Sequence, residues 1–228
     1  MNQDYNASPF NSMPPFVVAM ALLIAGIELV LQAADAGIIG GALGVGWRLQ
    51  TLQSYAFSDR AFEWMRSSGQ YPLEHMLRFL SYAFVHVSLM SAAFSIVFLL
   101  ALGKMVGEAF GTFAVVVIWV ASSVVGALAY GLVLDTDFPL FGGMTPAYGL
   151  IGAYSFMLWV GLSVSGSNPM MAFRLIAMLM GLQLFFGLVF GGSKDWVADL
   201  AGFATGFALS FVLVPGGAHR LLQKMRGR

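Results

Sequence analysis

Apolar residues run along this chain in long blocks, with the polar and charged positions gathered between them. A helix needs about 20 mostly apolar residues to cross ~30 Å of hydrocarbon. Six stretches meet that test: Phe16 to Gln32, broken only by Glu28; Phe79 to Gly103; Thr112 to Leu134; Thr145 to Leu162; Leu175 to Phe190; and Val197 to Val214. The pattern predicts an all-α, polytopic membrane protein with six spans. Asp35 to Leu77, between the first two spans, is too polar to cross. It is also too rich in aromatic and basic residues (WRLQTLQSYAFSDRAFEWMRSSGQYPLEHM) for a plain solvated linker. Amphipathic rings are stable at headgroup level, so residues 35–77 are expected to form a structured interfacial loop.

One block departs from the pattern. Phe138 to Phe173 contains no charged residue, yet its centre reads FGGMTPAYGLIGAY, with two glycines, a threonine and a proline close together. Thr145 followed by Pro146 reads as a helix start, with Thr capping the free backbone N–H groups and Pro at the first helical position. Phe138 to Met144 is then non-helical backbone at membrane depth, tolerated only where it is buried in protein or lines a watery cavity. Gly142 and Gly143 allow the turn and present N–H groups at the positive end of a helix, a place suited to an oxyanion.

Composition supports the membrane reading. The chain is 59% hydrophobic and 10% charged, where soluble domains have about a quarter charged residues. A single membrane domain, 16–214, is expected between an N-terminal segment, 1–15, and a tail, 215–228. The tail carries Arg220, Lys224, Arg226 and Arg228 and no acid, which predicts a cytoplasmic C-terminus. An even number of spans puts the N-terminus there too, in what reads as a multi-pass protein of a bacterial inner membrane. Arg48, Arg60 and Arg66 in the long loop argue mildly the other way. The first residues hold no Lys or Arg, so the first apolar run is expected to be a retained span and not a secretory signal.

Charge and motif content narrow the chemistry. Eleven basic residues balance eleven acidic ones, which leaves no support for a nucleic-acid partner. There is no cysteine, no H-E-x-x-H and no Walker sequence, so neither a metal nor a cofactor is expected. A transporter would show paired broken helices, and only one broken region is visible. The ionisable groups within the spans are Glu28, His86, a turn or two into the second span, and Asp199, at the start of the sixth. Such groups are expensive in a bilayer and mark functional sites by default. Glu28 reads as an interface-facing or protonated carboxyl, and His86 as a hydrogen-bonded packing residue. Asp199 is the best candidate, because Gly202 and Gly206 behind it form a small-xxx-small face that lets another helix come close.

Three segments together resemble a known family. RFLSYAFVHVSLMSAAFS, from Arg78 to Ser95, resembles the second-span signature of the rhomboid intramembrane serine proteases. FGGMT resembles that family's G-x-S-G segment, and DLAGFATG its sixth-span H-x-x-G-x-x-x-G. The resemblance implies a six-helix rhomboid-like bundle with lateral access for transmembrane helices. In active members a serine on span four is paired with a histidine on span six, and the oxyanion is held by backbone N–H groups and by span-two side chains. Carried onto this chain, the serine position is Thr145, or Met144 in a shifted alignment, and the histidine position is Asp199. The oxyanion positions are Ser91, Ser95 and Gly143, while Arg78, His86, Pro146, Gly202 and Gly206 take structural places. Aspartate titrates near ~3.9 and is a weak base for this chemistry, threonine crowds the nucleophile, and Pro146 removes a nearby N–H. The expectation is a pseudoprotease that binds transmembrane segments of client proteins within the lipid bilayer, with a Thr145–Asp199 hydrogen bond joining spans four and six. The alternatives are an active serine-type endopeptidase with Thr145 as nucleophile, and a non-enzymatic scaffold or channel.

Overall fold

The computed structural model describes residues 13–190 and 194–214; most of the expected N-terminal segment and the whole basic tail lie outside them. Ten α-helices follow in order: α1 (Pro15–Asp35), α2 (Gly41–Gly44), α3 (Trp47–Tyr55), α4 (Asp59–Ser68), α5 (Leu73–Ser81), α6 (Leu89–Phe110), α7 (Thr112–Val133), α8 (Met144–Val164), α9 (Arg174–Phe190) and α10 (Trp196–Leu213). Six helical segments are long and apolar enough to cross a membrane: α1, α6, α7, α8, α10 and, counting the 3₁₀ turn in front of α9, Pro169–Gly187. No strand forms among the described residues. A single antiparallel bridge joins Phe57 to Leu140.

The second span starts later than its hydropathy suggests. The apolar run was expected to enter the membrane as a helix from Phe79, but α5 ends at Ser81, a 3₁₀ turn covers Tyr82–Phe84, and Val85 is extended at φ −108°. The helix resumes at Leu89 because Ser88 caps it, its hydroxyl accepting the Ser91 N–H at 3.3 Å. His86 therefore lies in an extended segment before the span, not a turn or two inside it. A second expectation also gives way at α8. Gly143 occupies the N-cap position, no side chain caps this helix, and Pro146 sits in the first turn behind Met144 and Thr145. The first four N–H groups of a helix have no intrahelical partner, so proline is tolerated there as it would be at the first position.

The centre of the bundle is α8, in which every residue from Thr145 to Ala153 is buried. Its most extensive contact is with α10, and α7 packs against both. Glycine makes the α8–α10 approach possible. A Cβ on Gly206 would fall on the carbonyl oxygen of Gly149, and one on Gly202 on the carbonyl oxygen of Thr145. Helices in lipid gain little from the hydrophobic effect, so backbone-to-backbone packing of this kind carries much of their association.

The long first loop folds as α2 to α5 and is pinned to α7 by aromatic side chains. Phe57, Phe62, Phe79, Tyr82 and Tyr130 are all buried in one cluster, with Phe57 and Phe79 edge to face at 5.0 Å. Tyr82 adds a hydrogen bond from its hydroxyl to the Ser123 carbonyl at 3.0 Å.

Replacing Gly206 by alanine forces α8 and α10 apart and is expected to cost about 1–3 kcal/mol, the usual penalty of overpacking. The matching change at Gly161, whose added Cβ meets nothing within 4 Å, is expected not to lower the thermal midpoint in detergent, since alanine suits a helix interior better than glycine, so a side-by-side melting series checks the packing.

Candidate functional site

The turn that delivers the chain into α8 is held from both sides. The Phe57–Leu140 bridge, with Phe57 N–H to Leu140 O at 3.0 Å and Leu140 N–H to Phe57 O at 2.9 Å, fixes its start. Gly142 then turns at φ +91°, a conformation that disfavours any side chain, and donates its N–H to the Tyr82 carbonyl at 2.8 Å. The Gly143 N–H goes to Nε2 of His86 at 3.2 Å, and the same nitrogen lies 3.0 Å from the Ser95 hydroxyl.

Two residues later, the Thr145 hydroxyl donates to Oδ1 of Asp199 at 2.9 Å. The other carboxylate oxygen accepts from Nε2 of Gln183 at 3.0 Å, and Oε1 of Gln183 accepts from the Tyr148 hydroxyl at 3.3 Å. Thr145 and Asp199 are both only 2% exposed, a burial that polar groups tolerate when their hydrogen bonds are made. Thr145 caps nothing because the helix begins at Met144 and places it inside the first turn, where its hydroxyl is left to donate to the carboxylate. A cavity of about 330 Å³ opens beside this group, lined by Ser91, Phe141, Met144, Thr145, Gln183 and Asp199 among others. Thr145, not Met144, makes the contact with Asp199. Among the described residues no group of three or more His, Asp or Glu could hold a metal ion.

All but one of the residues carried over from the resemblance gather around the cavity and the start of α8. Thr145, Asp199 and Ser91 face the cavity. His86, Ser95 and Gly143 form a hydrogen-bonded group, while Gly202 and Gly206 shape the helix contact and Pro146 is buried in the first turn of α8. Arg78 stands apart in α5, where its guanidinium reaches the Ala56 carbonyl at 3.5 Å and Glu74 at 3.6 Å.

Sequence reasoning passed over two polar partners. Gln183 is a lone amide in the apolar run LIAMLMGLQLFFGLVF, a signal for an interhelical hydrogen bond. Arg48 forks onto Glu28, with Nη2 to Oε1 at 2.9 Å and Nη1 to Oε2 at 3.0 Å. Glu28, expected to face the interface or be protonated, is instead 2% exposed and ion-paired to a residue of the first loop.

The fold is a six-helix membrane bundle in which a glycine turn feeds a buried central helix whose first-turn hydroxyl meets an acid on the last span. A rhomboid-domain family model matches residues 73–216, more than half of the chain, and the protein belongs to the rhomboid family. It is thus a multi-pass integral membrane protein that sits in a lipid bilayer. A comparison with curated proteins finds no match.

His86 gives the site a pH dependence. To accept the Gly143 N–H, Nε2 must be unprotonated. Burial pushes the imidazole below its ordinary range, against opposing contributions from Glu28 and the Phe84 backbone. The unfolded chain then binds the proton more readily than the folded one, so stability is full above the ordinary histidine value of ~6.5 and is lost as pH falls below it. Thermal melts between about pH 7 and 5 are expected to show this loss, approaching ~1.4 kcal/mol per pH unit at most, and a His86→Gln variant is expected to lack that component.

Proposed function

We propose that this rhomboid-family protein is a pseudoprotease, which receives transmembrane helices of client membrane proteins without cutting them. The observation that carries the reading is that the groups in the catalytic positions already serve as structural partners of one another. Both carboxylate oxygens of Asp199 are taken, by Thr145 and Gln183. The arrangement ties α8, α9 and α10 together at one point. The Gly143 N–H and the Ser95 hydroxyl, two of the three oxyanion positions, are turned toward His86.

Hydroxyl nucleophiles need a base that accepts a proton and later returns it to the leaving group, a task suited to a group titrating near neutrality. Asp199 stands where active members of the family carry histidine, and both of its oxygens already accept hydrogen bonds, from Thr145 and Gln183. Electrostatic stabilisation of the oxyanion requires donors that are free and aimed at it. Dyad and donors act as a unit, so losing them together removes most of the rate enhancement. The retained fold still offers an intramembrane cavity beside α9, the feature a visiting helix would use. The basic tail at Arg220, Lys224, Arg226 and Arg228 supports an orientation with both termini in the cytoplasm, as expected for a bacterial inner-membrane protein.

Wild-type protein incubated with a helix-destabilised transmembrane substrate is expected to give no cleavage product, while Asp199→Ala, which strips the buried Thr145 hydroxyl and the part-buried Gln183 amide of their acceptor, is expected to lose about 1–3 kcal/mol of stability. Cleavage by the wild type that disappears in Thr145→Ala would instead establish an active protease with a threonine nucleophile, the alternative that the Thr145–Asp199 contact would also serve. Phosphonate labelling of Thr145 provides a second readout of the same question.

A further inference from the structure

Away from the cavity, one side chain gathers more partners than any role assigned so far requires. Arg48, the second residue of α3, uses four of the five N–H donors of a guanidinium. Its Nε reaches Oδ2 of Asp35 at 2.7 Å, Nη1 and Nη2 take the two oxygens of Glu28, and Nη1 also donates to the carbonyl oxygen of His86 at 3.0 Å. The side chain is 13% exposed and that of Glu28 3%. The two carboxylates hold the guanidinium charged, raising its pKa further, with the Glu28 hydrogen bond as the largest cause.

These bonds connect three parts of the chain. Glu28 and Asp35 belong to α1, Arg48 to the first loop, and His86 to the extended segment before α6. The far side of that segment is the His86 imidazole, whose Nε2 holds the Gly143 N–H and faces Ser95. One residue beyond Gly143, α8 begins with Met144 and Thr145, both on the cavity wall. An ion pair formed between α1 and the loop thus ends, through one peptide carbonyl and one ring, at the turn that shapes the cavity.

We infer that Arg48 is a positioning residue for the cavity. By gripping the His86 carbonyl from the carboxylates of α1, it fixes the imidazole in the place where it holds the Gly143 N–H away from the cavity. Without the fork, His86 keeps its ring but loses the anchor of its backbone, and the turn at Gly142 and Gly143 gains freedom. Lysine at position 48 keeps the charge but cannot span Glu28, Asp35 and the His86 carbonyl at once, because an ammonium is a point donor and not a planar fork. The inference does not depend on whether the site cuts, since it concerns the geometry of the turn alone.

The chain has no cysteine, so a single Ser91→Cys reporter on the cavity wall gives an unambiguous thiol, and Ser163→Cys at the exposed far end of α8 gives a distant control. In full-length protein reconstituted in nanodiscs, Arg48→Lys and Glu28→Gln are each expected to raise the maleimide labelling rate at the cavity reporter about tenfold, equivalent to ~1.4 kcal/mol in a local opening equilibrium. The control rate is expected to stay unchanged. The two substitutions combined are expected to give no more than the larger single effect, because both cut the same connection. Equal changes at both reporters would mean general unfolding and would overturn the inference. Unchanged labelling at the cavity, or strictly additive effects of the two substitutions, would overturn it as well.

Discussion

Backbone contact between α8 and α10 is the constraint on which the site rests. Two helices that meet through Cβ atoms stay 8–10 Å apart, axis to axis; where glycine faces glycine, main chains touch. At Gly149 and Gly206 nothing but hydrogen fits between them. The same approach continues one turn toward the start of α8, where Gly202 lies against the Thr145 carbonyl. Thr145 and Asp199 are brought within hydrogen-bond reach by this contact and not by any attraction of their own. Had either glycine carried a side chain, the hydroxyl and the carboxylate would face each other across a gap.

Polar groups inside the bundle follow one rule at three places. Each carries a partner on a different helix or segment, so satisfying the group also fixes a tertiary relation. Gln183 joins α9 to α10, and the Ser122 hydroxyl on α7 donates to the Gly202 carbonyl on α10 at 3.2 Å. Glu28 ties α1 to the first loop. In lipid, where apolar side chains gain little by leaving the hydrocarbon for one another, such bonds and close backbone packing are what distinguish one helix arrangement from another.

The six spans were readable because transfer into hydrocarbon is a property of composition, which the order of residues displays directly. The break before α6 was not. Residues 82–88 are as apolar as their neighbours, and only the capping hydroxyl of Ser88 separates an extended segment from a helix. The expected threonine cap failed because the helix begins at Met144 with Gly143 at its N-cap, so Thr145 is already helical and its hydroxyl donates to Asp199, 54 residues away. Gln183 could have been noticed as an isolated amide in a span. The partner of Glu28 could not, because Arg48 sits on a loop whose irregular path carries no periodic signal. The pairing of Thr145 with Asp199 was legible only through family resemblance, which aligned two segments that hydropathy leaves unrelated.

The small bridge between Phe57 and Leu140 also bears on how the protein assembles. Spanning helices are inserted one after another, each with its own backbone bonds complete, and they associate afterwards. The turn leading into α8 is different, for part of its main-chain bonding comes from a loop made much earlier in synthesis. Until the first loop has folded onto α7, Leu140 lacks its partner and the start of the central helix is left incompletely bonded. Maturation of the cavity is thereby a late, long-range event, slowed by the entropy of closing a large loop, and the order of synthesis has the loop waiting for the turn.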